Sequence, residues 1–203
     1  MKSPIKELFI SALLYLPLCF FIWFYAAPLL VMPAKWLAMM VMSMWQDDLF
    51  NGIEQKQFLF YVQTLIFPQN FNQQDTQLAV LDVMVNPMKY GYGLAVFSGL
   101  VISMPNLRVG IKLIQLFIGF MVVSLIQANG VFWETCKSLL FSGGGDAFQA
   151  INETGISHNL VAAMYQMSYL ILPAVVPVVI WVLLNRSFIE DITLYNKGTD
   201  HEN

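Results

Sequence analysis

The chain has 203 residues, of which 58% are hydrophobic and only 11% are charged, and its formal net charge is −3. Soluble domains carry roughly 25% charged residues, so this composition and the mean hydropathy of +0.62 indicate an integral membrane protein. No long lysine or arginine run could neutralise phosphates, and we therefore expect no nucleic-acid partner.

The first predicted span covers residues 8–31, an apolar run that exceeds the roughly 20 residues a helix needs to cross a bilayer. Pro28 and Pro33 should kink this helix or stop it. Residues 34–45 are then too short to cross again, and their lysine and two tryptophans suit a helix in the membrane interface. The alternative is one long tilted helix that continues the first span.

Three further spans are predicted at residues 90–107, 113–133 and 160–184. Pro173 and Pro177 should bend the last of them. The spans contain amide side chains, which more often link helices by hydrogen bonds than line a pathway; the main ones are Gln115, Gln127, Asn129 and Gln166. The predicted fold class is therefore mainly α and integral to the membrane, with four transmembrane helices in a single domain over residues 1–203.

The distribution of basic residues predicts the orientation, because lysine and arginine near span ends are retained in the cytoplasm. With the N-terminus inside, the cytoplasmic basic residues are Lys2, Lys6, Arg108, Lys112, Arg186 and Lys197. Those outside are Lys35, Lys56, Lys89 and Lys137. We predict that both termini are cytoplasmic.

The largest segment outside the predicted spans is residues 46–88. Residues 53–66 are rich in aromatic and branched side chains, and apolar side chains alternate over residues 77–85, as is typical of strands. The polar residues 68–76 suit a turn, so we predict an extracytoplasmic β-hairpin. A lone hairpin is marginal in water, and we expect a helix, the membrane interface or a partner protein to cover its apolar face.

The second outer segment is residues 134–158, which we predict to be a flexible extracytoplasmic loop because of its glycine content. Its glycine run lacks the lysine and hydroxyl of a phosphate-binding loop and does not follow a strand. Cys136 and His158 lie in this segment and could form a catalytic pair, although no local signature surrounds them. A buried thiol and a solvated histidine are the favoured interpretation.

The sequence gives little support for disulfide bonds, a metal or cofactor site, or transport. Cys19 and Cys136 are too few for a disulfide framework, and the two histidines have no partner at ligand spacing, so we expect no metal and no cofactor. The second to fourth predicted spans contain no charged residue, which disfavours a transporter.

One local motif, N-P-M-K-Y-G-Y-G from Asn86 to Gly93, lies where the outer segment meets the second predicted span. Asn-Pro favours a turn, the lysine and tyrosines suit the headgroup level, and the glycines permit close packing. The motif is either a junction at the membrane surface or a binding surface for a partner.

With the following leucine, this motif resembles a segment of the exosortase H-associated membrane proteins, as do A-A-P-L-L-V-M-P from Ala26 to Pro33 and the order of the spans. Exosortases are membrane cysteine transpeptidases that process proteins with a C-terminal sorting tail. The resemblance implies a protein that assists such a system in the bacterial inner membrane. It implies no catalytic residues here, because the Cys, Arg and His constellation of exosortases is not matched.

The leading hypothesis is a non-enzymatic accessory protein that contacts membrane lipid and a membrane protein partner, either the exosortase or its sorting substrates. Its motivation is an apolar strand pair without a core of its own. The predicted partner-binding residues are Asn86, Pro87, Lys89, Tyr90, Gly91, Tyr92, Gly93, Tyr61 and Val83. The alternatives are a membrane cysteine hydrolase or transpeptidase that uses Cys136 and His158, and a transporter subunit.

Overall fold

A computed structural model of the chain describes residues 4–67, 81–105 and 107–190. The helices are α1 (Pro4–Tyr25), α2 (Ala27–Leu30), α3 (Met32–Trp45), α4 (Met88–Gly91), α5 (Gly93–Ser103), α6 (Val109–Ser142), α7 (Gly144–Glu153), α8 (His158–Gln166) and α9 (Leu172–Leu184). The strands are β1 (Phe50–Lys56), β2 (Leu59–Thr64) and β3 (Asp82–Val85). The predicted class, mainly α and integral to the membrane, is confirmed, and the predicted hairpin is part of a small three-stranded antiparallel sheet.

Four helical stretches of the described chain are long and apolar enough to cross a membrane. They are Lys6–Tyr25, Ala27–Trp45, Val109–Ser142 and His158–Leu184. The predicted span at residues 90–107 is divided between α4 and α5, and the 11 residues of α5 are fewer than a single helix needs to cross. By length and composition the fourth stretch is residues 27–45, which include the helix predicted to lie in the membrane interface.

The prolines after α1 begin helices rather than ending one. Helix α1 stops at Tyr25, and Pro28 and Pro33 lie in the first turns of α2 and α3. A proline is tolerated there because the first amides of a helix have no partner inside it. The predicted interruption is therefore present, and it occurs twice, at Ala26 before Pro28 and at Val31 between the two prolines.

The chain divides into two compact units, and the first consists of residues 1–25, 92–123 and 174–203. Its core holds Phe97, Val101, Met104 and Trp181. Amides link its helices as predicted, since Gln115 Nε2 donates to Asn185 Oδ1 at 3.0 Å. Lys112 Nζ donates to the Ile102 carbonyl at 2.7 Å and satisfies one of the last carbonyls of α5.

The second unit consists of residues 26–91 and 124–173. Helix α6 runs through both units, so the single domain over residues 1–203 stays a prediction. The sheet lies in the second unit, with strand order β1-β2-β3 and both pairs antiparallel.

The predicted two-stranded hairpin is wrong in one respect, because residues 53–66 form parts of two strands. The chain reverses at Gln57, whose φ of 57° lies in the left-handed region, and β1 then pairs with β2 through Lys56 and Leu59. The polar residues 68–76 lie outside the described part of the chain. The alternation predicted on the last strand is present, since Val83 and Val85 are buried.

The inner face of the sheet is covered by the chain itself. Strand β1 packs on α3, the Trp45 and Phe50 rings lie 6.2 Å apart, and Gln55 Nε2 donates to the Pro28 carbonyl at 2.8 Å. A helix, one of the three covers expected from the sequence, lies against the sheet. The premise that the strands have no core of their own is therefore wrong.

The predicted loop at residues 134–158 is mostly helical. Helix α6 continues to Ser142, and α7 follows after Gly143. Gly144 and Gly155 have φ values of 85° and 73° at the two ends of α7, a conformation that glycine adopts without steric cost. The two glycines thus lie where a helix begins and just after it ends.

The proline-containing fourth span has a π-helical turn, Met167–Ile171, between α8 and α9. Pro173 has no amide hydrogen for the carbonyl four residues earlier, and its ring crowds that carbonyl. A wider turn in front of the proline relieves both problems.

Two glycines of α6 allow a matched test of the packing in the first unit. A Cβ at Gly119 would lie 2.3 Å from two carbons of the buried Phe97 ring, whereas nothing lies within 4 Å of one at Gly110. We expect Gly119→Ala to destabilise by about 1–3 kcal/mol and Gly110→Ala to stabilise slightly, because alanine favours helix by up to about 1 kcal/mol. Thermal unfolding in detergent measures both, and equal effects would contradict the packing.

Candidate functional site

The motif Asn86–Gly93 begins with a turn after β3. Asn86 Oδ1 accepts a hydrogen bond from the Met88 amide at 3.0 Å, and the Pro87 carbonyl accepts one from the Tyr90 amide at 3.1 Å. The asparagine side chain replaces a backbone acceptor, as is common in turns. This turn starts α4 immediately after the strand and so determines where Lys89 and Tyr90 point.

Both of these side chains bind the carboxylate of Glu134 on α6. Lys89 Nζ donates to Oε1 at 2.7 Å, and the Tyr90 hydroxyl donates to Oε2 at 2.7 Å. Glu134 is 6% exposed and Tyr90 is fully buried, whereas the Lys89 side chain is 38% exposed. A cation and a hydroxyl therefore satisfy one oxygen each of a buried carboxylate.

The protonation of Tyr90 is suited to this role. Burial raises the pKa of its hydroxyl above the usual range, and the negative charge of Glu134 raises it further. The hydroxyl therefore stays protonated at physiological pH and remains a donor. Hydrogen bonds to an ionised acceptor are stronger than those between neutral groups, so Glu134 is held firmly.

Two glycines make the close approach of α4 to α6 possible. A Cβ at Gly130 would lie 2.3 Å from the Tyr90 ring, and a Cβ at Gly91 would lie 2.2 Å from Gln127 Nε2. Gln127 Nε2 donates to the Pro87 carbonyl at 3.3 Å, as the predicted role of the amides requires. We call the set of Lys89, Tyr90, Gln127, Gly130 and Glu134 the brace.

A row of aromatic rings continues from the brace. The rings of Tyr90 and Tyr169 meet edge to face with centroids 6.4 Å apart, and Tyr165 and Tyr169 are stacked at 6.1 Å. Lys137 Nζ lies 5.0 Å from the centroid of the Tyr165 ring, within the range of a cation–π interaction. The row joins the π-helical turn to α6.

A second polar link joins the same helices. Asn129 Nδ2 donates to Ser168 Oγ at 2.7 Å, and Trp133 Nε1 donates to Asn129 Oδ1 at 3.1 Å. Ser168 in turn donates to the Met164 carbonyl at 2.7 Å. The amide link predicted for Asn129 is therefore present, whereas Gln166 is exposed.

The predicted partner-binding residues fall into two groups by exposure. The buried ones are Pro87, Tyr90, Gly91, Gly93 and Val83. The partly exposed ones are Asn86, Lys89, Tyr92 and Tyr61. Val83 is 7% exposed, whereas its neighbour Met84 is 60% exposed, so Met84 is the β3 side chain that a partner could reach.

The proposed catalytic pair is not assembled. Cys136 is fully buried in α6, and the His158 ring contacts Phe148 at a centroid distance of 5.3 Å. Within the described residues no hydrogen bond joins the two side chains. The described residues also contain no group of three or more histidines, cysteines or carboxylates placed to hold a metal ion.

The sequence predicts neither Glu134 nor Gly130 as a site residue, and it predicts Gln127 only as an amide that links helices. The three share a face of α6, because positions three and seven residues apart lie on one side of a helix. If α6 is known to continue past Trp133, a carboxylate on the same helix face as Gln127 and Gly130 indicates a buried polar contact between helices.

We expect Glu134→Ala to destabilise the protein most, because it leaves the buried Tyr90 hydroxyl unpaired at a cost of about 1–3 kcal/mol and opens a cavity. Tyr90→Phe should cost less, since Lys89 still holds the carboxylate. Exposed Glu153 bonds Gln149 one turn away on α7, and Glu153→Ala is the near-neutral control. Thermal unfolding in detergent ranks the stabilities of the three variants. If Glu134→Ala were as stable as the control, the brace would not contribute to stability as we expect.

The family model of the exosortase H-associated membrane proteins matches residues 2–188. Comparison with curated proteins and with solved structures gives no match. The matched range contains the whole brace and every candidate span, so the likeness does not rest on a local motif. The chain belongs to the exosortase H-associated membrane protein family.

Proposed function

We propose that this multi-pass protein is a non-enzymatic accessory component of an exosortase-type protein-sorting system in the bacterial inner membrane. The observation that carries the proposal is the brace, in which Lys89, Tyr90 and Glu134 satisfy one another. Such a set positions a surface but leaves no group free to attack a substrate. The family membership supports a membrane protein partner.

The outer face of the sheet is the surface that we assign to the partner. Glu54, Tyr61 and Met84 form one row across the three strands. Met84 is 60% exposed, and the Glu54 side chain is 49% exposed. Tyr61 is half-buried beneath Lys56, whose Nζ lies 4.9 Å from the ring centroid.

The row has the composition of a contact surface. Tyrosine and methionine are enriched at protein interfaces, and an exposed methionine adapts its shape to different neighbours. The brace follows β3 directly in the chain and ties its end to α6, so this face is presented on a fixed support. A partner would then lose little entropy in ordering it.

Adjacent positions on β3 provide the test, because their side chains point to opposite faces. A photo-crosslinking amino acid at Met84 or Tyr61 should capture a membrane protein of the sorting system in native membranes, and one at Val83 should not. Mass spectrometry identifies the adduct. Capture at Val83 equal to that at Met84, or no capture at any position, contradicts the proposal.

The alternative function, a membrane enzyme that uses Cys136, can be tested by one substitution. We expect Cys136→Ala to leave sorting unchanged in cells at matched protein levels, because the thiol is fully buried and has no histidine partner among the described residues. Processing of a sorted protein is the measurement, and a Glu153→Ala strain is the control. Loss of processing with normal protein levels would favour the enzyme.

A further inference from the structure

Helix α3 has two apolar faces, and only one of them is covered by the protein. The covered face holds Val31, Ala34, Ala38 and Met42, all at most 1% exposed. The opposite face holds Met32, Trp36, Met40 and Met44, which are 46%, 70%, 53% and 74% exposed. Positions four residues apart share one side of a helix, so these four side chains form a continuous outer stripe.

The chain fixes where α2 and α3 begin. Helix α1 is a candidate span that ends at Tyr25, and α2 starts at Ala27. One residue separates them, so α2 starts at the membrane surface at which α1 ends. From there the chain could cross back through the bilayer, leave the membrane for water, or run along the surface.

A second crossing is incompatible with the strand that accompanies α3. Phe50 lies beside Trp45 at the end of α3, and Gln55 reaches Pro28 in α2. Strand β1 therefore runs antiparallel to α2 and α3 along most of their length. If these helices crossed the hydrocarbon, β1 would lie in it too.

Strand β1 cannot be accommodated in hydrocarbon. Among the described residues it is an edge strand of the sheet, and open sheet edges do not occur in contact with lipid tails, because their backbone groups would be left without partners. The Glu54 and Lys56 side chains on it are 49% and 60% exposed, and charges in lipid are costly. A course into water is equally unfavourable, because it would expose the stripe of three methionines and a tryptophan.

We propose that α3 lies along the membrane surface and that its outer stripe binds the lipid bilayer. Trp36 has the amphipathic ring typical of the headgroup level, and the neighbouring Lys35 can extend its amine toward water. The chemistry recognised is the apolar boundary of the bilayer rather than a particular headgroup. Helix α3 thereby separates the sheet from the lipid.

The depth of the stripe in lipid distinguishes a surface helix from a crossing one. The four positions cover about 18 Å of helix axis. A spin label is attached in turn to full-length single-site variants in phosphatidylcholine vesicles, and its accessibility to oxygen and to a water-soluble nickel complex gives its depth. The variants are Met32→Cys, Trp36→Cys, Met40→Cys and Met44→Cys. Wild type, whose cysteines are buried in the described structure, gives the background.

Helix α1 supplies the matched control, since exposed positions on it should report a crossing helix. The control variants are Phe9→Cys, Leu13→Cys, Phe20→Cys and Phe24→Cys. We expect a depth profile through the bilayer for α1 and one shallow depth for all four α3 positions. Depths that change along α3 by about its axial length would show a crossing. Labels that contact only water, or neither reagent, would show that lipid does not cover the stripe.

Discussion

The buried carboxylate of Glu134 is the constraint on which the second unit depends. Taking a charge out of water costs several kcal/mol unless a counter-charge and hydrogen-bond donors replace its hydration. Lys89 and Tyr90 supply both from adjacent positions of α4, which requires α4 to lie close against α6. Gly130 has no side chain to prevent this approach. The buried charge thus explains why a lysine, a tyrosine and a glycine surround this site.

Much of the architecture could be predicted from apolar runs and amide positions. The long uncharged segments predicted the spans, and the isolated amides predicted helix links that occur at Gln115, Gln127 and Asn129. These features can be predicted because hydropathy and hydrogen-bonding capacity are properties of the individual residue and do not depend on distant contacts. The alternation over the last strand was readable for the same reason, since side chains on a strand point to opposite faces.

The missed features depend on partners far along the chain. The sequence predicts that a loop starts at Glu134, because a carboxylate ends the apolar run, yet Lys89 and Tyr90, more than 40 residues away, allow it to stay in the helix. The reversal at Gln57 gave no signal, since it uses a left-handed residue other than glycine. In both cases tertiary contacts offset a local preference.

Hydropathy alone would also treat α1 and residues 27–45 alike, because both are long and apolar enough to cross a membrane. They differ in what packs beside them, because a polar edge strand accompanies only the second. With the outer stripe of α3 on lipid, the order from the membrane outward is lipid, α3 and the sheet. The row of Glu54, Tyr61 and Met84 is on the face of the sheet opposite the buried side chains, so in this arrangement it is directed away from the lipid, where a partner could contact it.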